Sequence, residues 1–489
     1  MRLSEERYYL VGIKGTGMAN LALLLLRLGA SVRGCDIQET FLTDLSLQRA
    51  DIGIDVGFSD SLLPSSTTCV IHSSAYARSI PILQAAQAKQ IPLYSYPEFL
   101  ALLSSMQDSY AVAGTHGKTT TCSVASHVLA GASGQEFPCY ALYGSSMVNQ
   151  EISLYQGGEC ALFEACEYQD HFLSYHLRGV LVTCIEYDHP DYFPDLAAVM
   201  ASFRRLVDKL GRGGILIGCS DDAGTRELLS YAHQARSDLT IMEYGYTASG
   251  PFQILARPEG KISLSLLPDS SFSLTVGARA LILDHVGAVV LAMAMLLDRP
   301  KPKLYLQDKG LLTDEVLPSL ASLLMMQLPS YPGCRARTEV LADEKGVVYV
   351  DDYAHHPSEI LTSLEELRLA YPGRKLLVIF CPHTASRTKA LLSSFAQALV
   401  QSDALIIQST YASARNDGSA REDSSALLLE AVHAQPQAKE RLVAYAKDDQ
   451  GCVELACLWL QERWLCITMG AGNNRPIGPR IAAFRRSLS

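Results

Sequence analysis

The chain has 489 residues, 48% of them apolar, and a formal net charge of −10. That length predicts about three domains, and an acidic balance without a basic stripe excludes a general nucleic-acid binder. A phosphorylated ligand must therefore be held by a few local groups. The thirteen cysteines include no Cys-x-x-Cys pair. They read as reduced, buried thiols of a cytoplasmic protein, not as a disulfide frame or a zinc site. The N-terminus lacks a basic flank followed by a signal-type apolar core.

The first unit runs over residues 1–107. Tyr8–Gly12 is a predicted strand, Gly12-Ile-Lys-Gly15-Thr-Gly17 a glycine turn, Met18–Leu28 a helix and Ser31–Asp36 a second strand. Val70–Ser74 is another, ending in small polar residues. This is a βαβ nucleotide-binding start. Asp36 stands where a dinucleotide fold puts its ribose-binding acid, but Asn20 replaces the third glycine. The turn alone suits either a nicotinamide dehydrogenase or a generic Rossmann turn in which Asp36 ends a strand.

The second unit covers residues 108–327. Ala111–Ala113 reads as a buried strand, and Gly114-Thr115-His116-Gly117-Lys118-Thr119-Thr120 as a tight loop entering a helix. This layout places backbone N–H groups and a helix N-terminus around an anion. Lys118 meets the outer phosphates as a point charge, and the Thr119 hydroxyl is placed to ligate Mg²⁺. The spacing is not the full Walker A pattern, because Val112 stands six residues before Lys118. Gly179–Ile185 is an apolar run of the kind found in parallel strands buried on both faces. Gly214–Gly218 is a further strand, and residues 248–276 alternate like a hairpin. Val286–Leu297 follows Asp284 and His285. It is too short to span a bilayer and reads as a buried helix, so no membrane insertion is expected.

The third unit covers residues 328–489. Gly346–Asp352, Lys375–Phe380, Ala404–Gln408 and Trp464–Met469 are strands separated by helices, one opened by Pro357. This is a second open α/β sheet. None of these patterns bears on oligomeric state.

In such sheets ligands gather at the carboxyl ends of strands. Ala161–Phe163 leads into Glu164 and Glu167, and Ile185 leads into Glu186, Asp188 and His189. A metal in a phosphoryl site needs hard oxygen ligands; Glu164 and Glu167 are candidates, and Asp188 and His189 offer a second group near the same strand edge. Glu167 and Asp188 read equally as surface acids or as partners behind the ligands. His355 and His356 lack a third ligand at metal spacing and read as helix-capping or substrate-facing. Arg335 and Arg337 follow Tyr331-Pro-Gly333. They are surface charges, or they reach a phosphate when domains close.

Five motifs taken together resemble the Mur ligases. They are Gly114-Thr-His-Gly-Lys-Thr-Thr-Thr121, Glu164-Ala-Cys-Glu-Tyr168, Ile185-Glu-Tyr-Asp-His189, Asp351-Asp-Tyr-Ala-His-His-Pro357 and Pro382-His-Thr-Ala-Ser-Arg-Thr388. Gly12–Met18, Ser73–Ala75 and Met469–Gly472 extend the likeness to both ends. The resemblance implies a three-domain α/β enzyme. A Rossmann-like N-terminal domain holds a UDP-sugar, a central P-loop-type ATPase domain with a mostly parallel sheet holds ATP, and a Rossmann-like C-terminal domain brings an amino acid. It implies ATP and Mg²⁺ as cofactors, and UDP-N-acetylmuramate and L-alanine as substrates of an ADP-forming amide ligation through an acyl phosphate.

By that resemblance Lys118 contacts the β- and γ-phosphates, and Thr119, Glu164 and His189 serve the metal sites. His356 and Asp352 face the nucleotide and acyl site, and Arg335 and Arg337 match hinge arginines. His383 and Arg387 lie near the incoming alanine. Gly15, Gly17, Asp36 and Ser74 serve the UDP side. The alternative within the family is the recycling branch that joins a preformed murein tripeptide to the same UDP-sugar. Glu167-Tyr168 and Tyr187 suit that branch too, whereas Pro382–Thr388 favours alanine. Several departures stand out: Lys14 where many members have glycine, Thr384 where several have arginine, and Asp284-His285-Val-Gly287 in place of a segment with two asparagines. Lys209 is not assigned the carbamylated-lysine role found in other branches.

Overall fold

The computed structural model describes residues 3–133, 139–148, 157–298, 316–411, 423–470, 472 and 474–487. Ala471, within the Met469–Gly472 motif, lies outside them. Three open sheets organise the chain. The first has five parallel strands in the order Gly53–Val56, Ser31–Asp36, Arg7–Val11, Cys69–His72, Leu93–Ser95. The second has six parallel strands in the order Thr240–Tyr244, Ile215–Cys219, Gly179–Val182, Asp108–Ala113, Cys160–Glu164, Cys139–Leu142. The third has six strands in the order Glu339–Glu344, Val347–Asp352, Trp464–Gly470, Lys375–Cys381, Ala404–Gln408, Leu442–Ala446. Its first pair is antiparallel and the rest are parallel. Ile254–Ala256 and Ile262–Leu264 form a separate antiparallel pair inside the stretch expected to be a hairpin.

Central strands such as Val347–Asp352 and Trp464–Gly470 are buried at every position, as parallel strands covered on both faces must be. The glycine turn and the phosphate loop each leave the carboxyl end of an interior strand. In the second sheet the next strand in sequence, Cys139–Leu142, lies to one side of Asp108–Ala113, and Gly179–Val182 to the other. The phosphate loop thus sits where the winding reverses, the place where doubly wound sheets bind ligands.

Two compact units emerge from the contacts. One comprises Met1–Glu186, Ala197–Thr275 and Leu283–Pro332, the other Tyr187–Leu196, Val276–Ile282 and Gly333–Ser489. The first unit therefore carries the first two sheets and the second carries the third.

The apolar helix is longer than expected. It runs Arg279–Leu297, 19 residues with a mean hydropathy of 2.2 over its most apolar window, 78% of which is buried inside the fold. By length and composition this helix is long enough to cross a membrane, contrary to the expectation from its sequence, because it begins with Arg279 and not near Asp284. The expectation that it is buried holds. All thirteen cysteines are free thiols, most of them buried, and burial pushes thiols such as Cys166 and Cys219 up to about 12.

Candidate active site

Two glycines make the phosphate loop possible. Gly114 and Gly117 have φ of +133° and +78°, a region glycine enters without steric cost. A Cβ on Gly114 would collide with the Thr183 hydroxyl, and one on Gly117 with the Asp284 carboxylate. The helix Lys118–Ser133 starts directly after them, so its unpaired N–H groups face the loop. Thr115 fixes the loop from behind: its hydroxyl accepts the Glu186 N–H at 2.8 Å.

Lys118 folds back over this loop. Its Nζ donates to the Gly114 and Thr115 carbonyls at 2.5 and 2.9 Å and to Glu167 Oε2 at 3.0 Å. Glu167 is buried, so it is not a surface acid. Burial works to lower the lysine pKa, but Glu167, with smaller contributions from Cys166 and Glu164, carries it above its ordinary value. The ammonium is thus charged at any working pH. Beside it, the buried Thr119 hydroxyl donates to Glu164, 2.9 Å from both carboxylate oxygens. Glu164 also accepts the Gly144 N–H at 2.6 Å. A hydroxyl and a carboxylate at the edge of an anion cradle form a hard-oxygen donor set that fits Mg²⁺. His116 completes the loop, its Nε2 lying 3.6 Å from Glu186. The structure thus brings Gly114, Thr115, His116, Gly117, Lys118, Thr119, Thr120 and Glu164 together.

The glycine turn of the first sheet is tied to Asp36. That buried carboxylate accepts the Lys14 N–H at 2.7 Å, the Ile37 N–H at 2.8 Å and the Tyr76 hydroxyl at 3.1 Å. Lys14 itself turns to the Glu39 carbonyl at 2.8 Å and to Asp44 at 3.5 Å. Gly15 caps the helix Thr16–Arg27, Gly17 packs under the Tyr96 hydroxyl, and Ser74 is exposed beyond the strand Cys69–His72.

In the second unit, Asp188 and Arg387 form a buried bidentate pair with N···O distances of 2.7 and 3.1 Å. Burial alone would raise the Asp188 carboxyl, but the guanidinium, helped by His189 and His356, holds it well below the usual carboxylate range. Asp188 Oδ1 also accepts the His189 N–H at 2.7 Å, and His189 takes a φ of +55°. Arg387 Nη1 lies 3.1 Å from His383 Nδ1. Thr384 caps the helix Ala385–Ala390 by accepting the Arg387 N–H.

His356 caps the helix Pro357–Ala370, its Nδ1 accepting the Ser358 N–H at 3.3 Å. Asp352 is buried with both oxygens engaged, by Thr338 N–H at 3.0 Å, the Ser363 hydroxyl at 2.7 Å and Ala354 N–H at 2.9 Å. It pins the loop that carries Arg335 and Arg337. Ala336 and Thr338 in that loop have φ of +54° and +46°, and Arg337 stacks 5.1 Å over the Tyr353 ring. Lys209 is exposed and donates to the Leu173 carbonyl. Sequence reasoning missed the Asp188–Arg387 pair and the Asp284 carboxylate at Gly117. Charge complementarity between the two motifs was the one available signal.

His355 gives this unit a pH signature. Burial lowers its pKa from 6.5 to about 4, opposed mainly by Glu359. The unfolded chain therefore takes up this proton first, and stability is lost as pH falls from 6.5 towards 4. Asp352 acts the other way. Burial raises it from 3.8 to about 6, so its contribution falls as pH rises through that window. His355→Gln removes one of the two opposing effects. Chemical denaturation is expected to show the variant gaining stability relative to wild type as pH drops from 7 to 4, by up to about 1.4 kcal/mol per pH unit. A flat difference across that window contradicts the assignment.

The sequence matches three family models: "Mur ligase family, catalytic domain" over residues 7–107, "Mur ligase middle domain" over 112–259 and "Mur ligase, glutamate ligase domain" over 336–472. It is 33% identical over 482 residues to the UDP-N-acetylmuramate–L-alanine ligase of Treponema pallidum (strain Nichols), covering 97% of this chain and 96% of that protein. It is 32% identical over 478 residues to the enzyme of the same name from Borreliella burgdorferi, covering 95% and 96%. Its fold resembles the UDP-N-acetylmuramate–alanine ligase of Thermotoga maritima, with a TM-score of 0.74, 19% identity, and coverage of 99% of this chain and 100% of that one. A murein peptide ligase from Psychrobacter arcticus follows at a TM-score of 0.69, 18% identity and 98% coverage of both chains. Domain by domain and along nearly its whole length, the chain belongs to the Mur ligase family.

Proposed function

We propose that this chain joins L-alanine to the carboxyl group of UDP-N-acetylmuramate in the cytoplasm, cleaving ATP to ADP and phosphate, as a step of peptidoglycan precursor synthesis. The observation that carries this reading is the glycine-opened cradle. There, a charged lysine and a hydroxyl–carboxylate pair meet at a helix N-terminus, in a chain whose full-length relatives at 33% identity are named for this reaction. We set the domain boundaries at 1–107, 108–327 and 328–489.

A carboxylate is a poor electrophile, so it must be activated before an amine can add. Its oxygen attacks the γ-phosphorus, ADP leaves, and an acyl phosphate forms. The alanine amine then adds to the acyl carbon, loses a proton, and phosphate departs to leave the amide. The first step brings two anions together. The loop N–H groups and Lys118 offset that repulsion and stabilise the charge that develops. For this, Lys118 exchanges the Gly114 and Thr115 carbonyls for phosphate oxygens, while Glu167 keeps it charged. Thr119, Glu164 and His189 are assigned to hold Mg²⁺, which when bound neutralises phosphate charge. Arg335, Asp352 and His356 are assigned to the nucleotide and acyl side, and Gly15, Gly17, Asp36 and Ser74 to the UDP end. Arg387 and His383 are assigned to the alanine carboxylate, because a guanidinium suits a carboxylate.

Phosphate release with ATP, Mg²⁺, UDP-N-acetylmuramate and a panel of amino acids tests this reading. Turnover with L-alanine is expected. Turnover with the murein tripeptide and none with alanine moves the chain to the recycling branch. Glu164→Gln is expected to raise the Mg²⁺ concentration for half-maximal activity about tenfold or more, and an unchanged requirement removes Glu164 from the metal site.

A further inference from the structure

Asn20 occupies the place of the third glycine of the first turn, where close helix–strand packing normally demands the smallest residue. It is 5% exposed, one turn into the helix Thr16–Arg27. Its amide does not serve that helix. Nδ2 donates to the Tyr143 carbonyl and to the Ser145 carbonyl, both at 2.9 Å. These two carbonyls bracket Gly144, whose N–H donates to Glu164 at 2.6 Å. Gly144 also lies over the Thr119 hydroxyl. The helix that starts at the UDP-side glycine turn is therefore tethered, through one side chain and three residues of backbone, to the Thr119–Glu164 pair of the phosphate loop.

A second contact runs parallel to the tether. The hydroxyl of Tyr96 packs on Gly17 in the same turn of the helix. The Tyr96 side chain is partly buried and also interacts electrostatically with Glu164.

We propose that Asn20 is a positioning residue that couples the UDP-sugar turn to the nucleotide–metal site through the strap Tyr143–Ser145. This rests on the ligase reading above. A ligand that orders the glycine turn fixes the first turn of the helix. The amide then fixes Gly144, and Gly144 fixes the Glu164 carboxylate. By linkage the effect runs equally in the opposite direction.

The test is calorimetric and needs no turnover. Affinity for Mg²⁺ with a non-hydrolysable ATP analogue is measured with and without saturating UDP-N-acetylmuramate. Wild type is expected to show coupling of about fivefold or more. In Asn20→Ala the factor is expected to fall below about twofold, with each ligand alone bound within about twofold of wild type. Asn20→Ser keeps one donor, covers the case of a poorly folding alanine variant, and is expected to give an intermediate factor. Equal coupling in wild type and both variants overturns the proposal, as does a wild type that binds both ligands without coupling. Those results leave the ligase reading standing. A folded wild type that binds neither ligand overturns both.

Discussion

Lys118→Met is expected to lower kcat by on the order of 10³-fold or more, the scale of losing a charge donor aimed at the transition state in a water-poor site. The loss has to be separated from a folding defect. Glu167 is 1% exposed and has Lys118 Nζ 3.0 Å away. Removing the cation strands a buried carboxylate, at a cost of about 3–5 kcal/mol. The double variant Lys118→Met/Glu167→Gln leaves no charge to strand. It is expected to recover most of the stability in denaturant titration and none of the turnover in the phosphate-release assay. A double variant that recovers turnover along with stability would show that Lys118 serves the fold and not the chemistry.

Arg387→Ala carries the second large effect. The guanidinium is assigned to the alanine carboxylate, and truncating a buried charge partner typically costs about 2–5 kcal/mol. The KM for alanine is therefore expected to rise on the order of 10²-fold, with KM for ATP changed far less. Stability falls too, because Asp188 is left buried and charged. The pH dependence identifies that second component. The folded-state pKa of Asp188 is depressed. Its stabilising contribution is thus complete above the unfolded value of about 3.9 and is lost as pH falls through the lower folded value. In Arg387→Ala that protection is gone. Acid unfolding followed by circular dichroism is expected to begin at a higher pH than in wild type. A variant with unchanged alanine KM and an unchanged acid limb contradicts both the clamp and the pair.

The interior of each sheet was legible in the sequence, and the edges were not. Ala404–Gln408 and Trp464–Gly470 are fully buried runs that stand out as apolar blocks, and Ser31–Asp36, buried at four of six positions, as a strand following a turn signal. Every edge strand escaped: Gly53–Val56, Leu93–Ser95, Thr240–Tyr244, Cys139–Leu142, Glu339–Glu344 and Leu442–Ala446. Most of these are only partly buried, so their composition is mixed and their period weak. Edge strands also need less apolar surface than strands covered on both faces. The candidate site followed the same division. Lys118, Thr119 and Glu164 were readable because they follow buried strands; the structure hydrogen-bonds Thr119 to Glu164 and Lys118 to Glu167. The pairing of Asp188 with Arg387 spans 199 residues, and no local pattern encodes such a contact. Thr384 is the converse case. The three-residue spacing to Arg387 that makes it a helix cap was present in the sequence all along.

The most direct measurement follows one oxygen atom. UDP-N-acetylmuramate labelled with ¹⁸O in both carboxyl oxygens is turned over with ATP, Mg²⁺ and L-alanine, and the released phosphate is weighed by mass spectrometry. Activation through an acyl phosphate sends one labelled oxygen into each phosphate and leaves the other in the new amide. Phosphate that carries no label while the amide is formed would contradict the account.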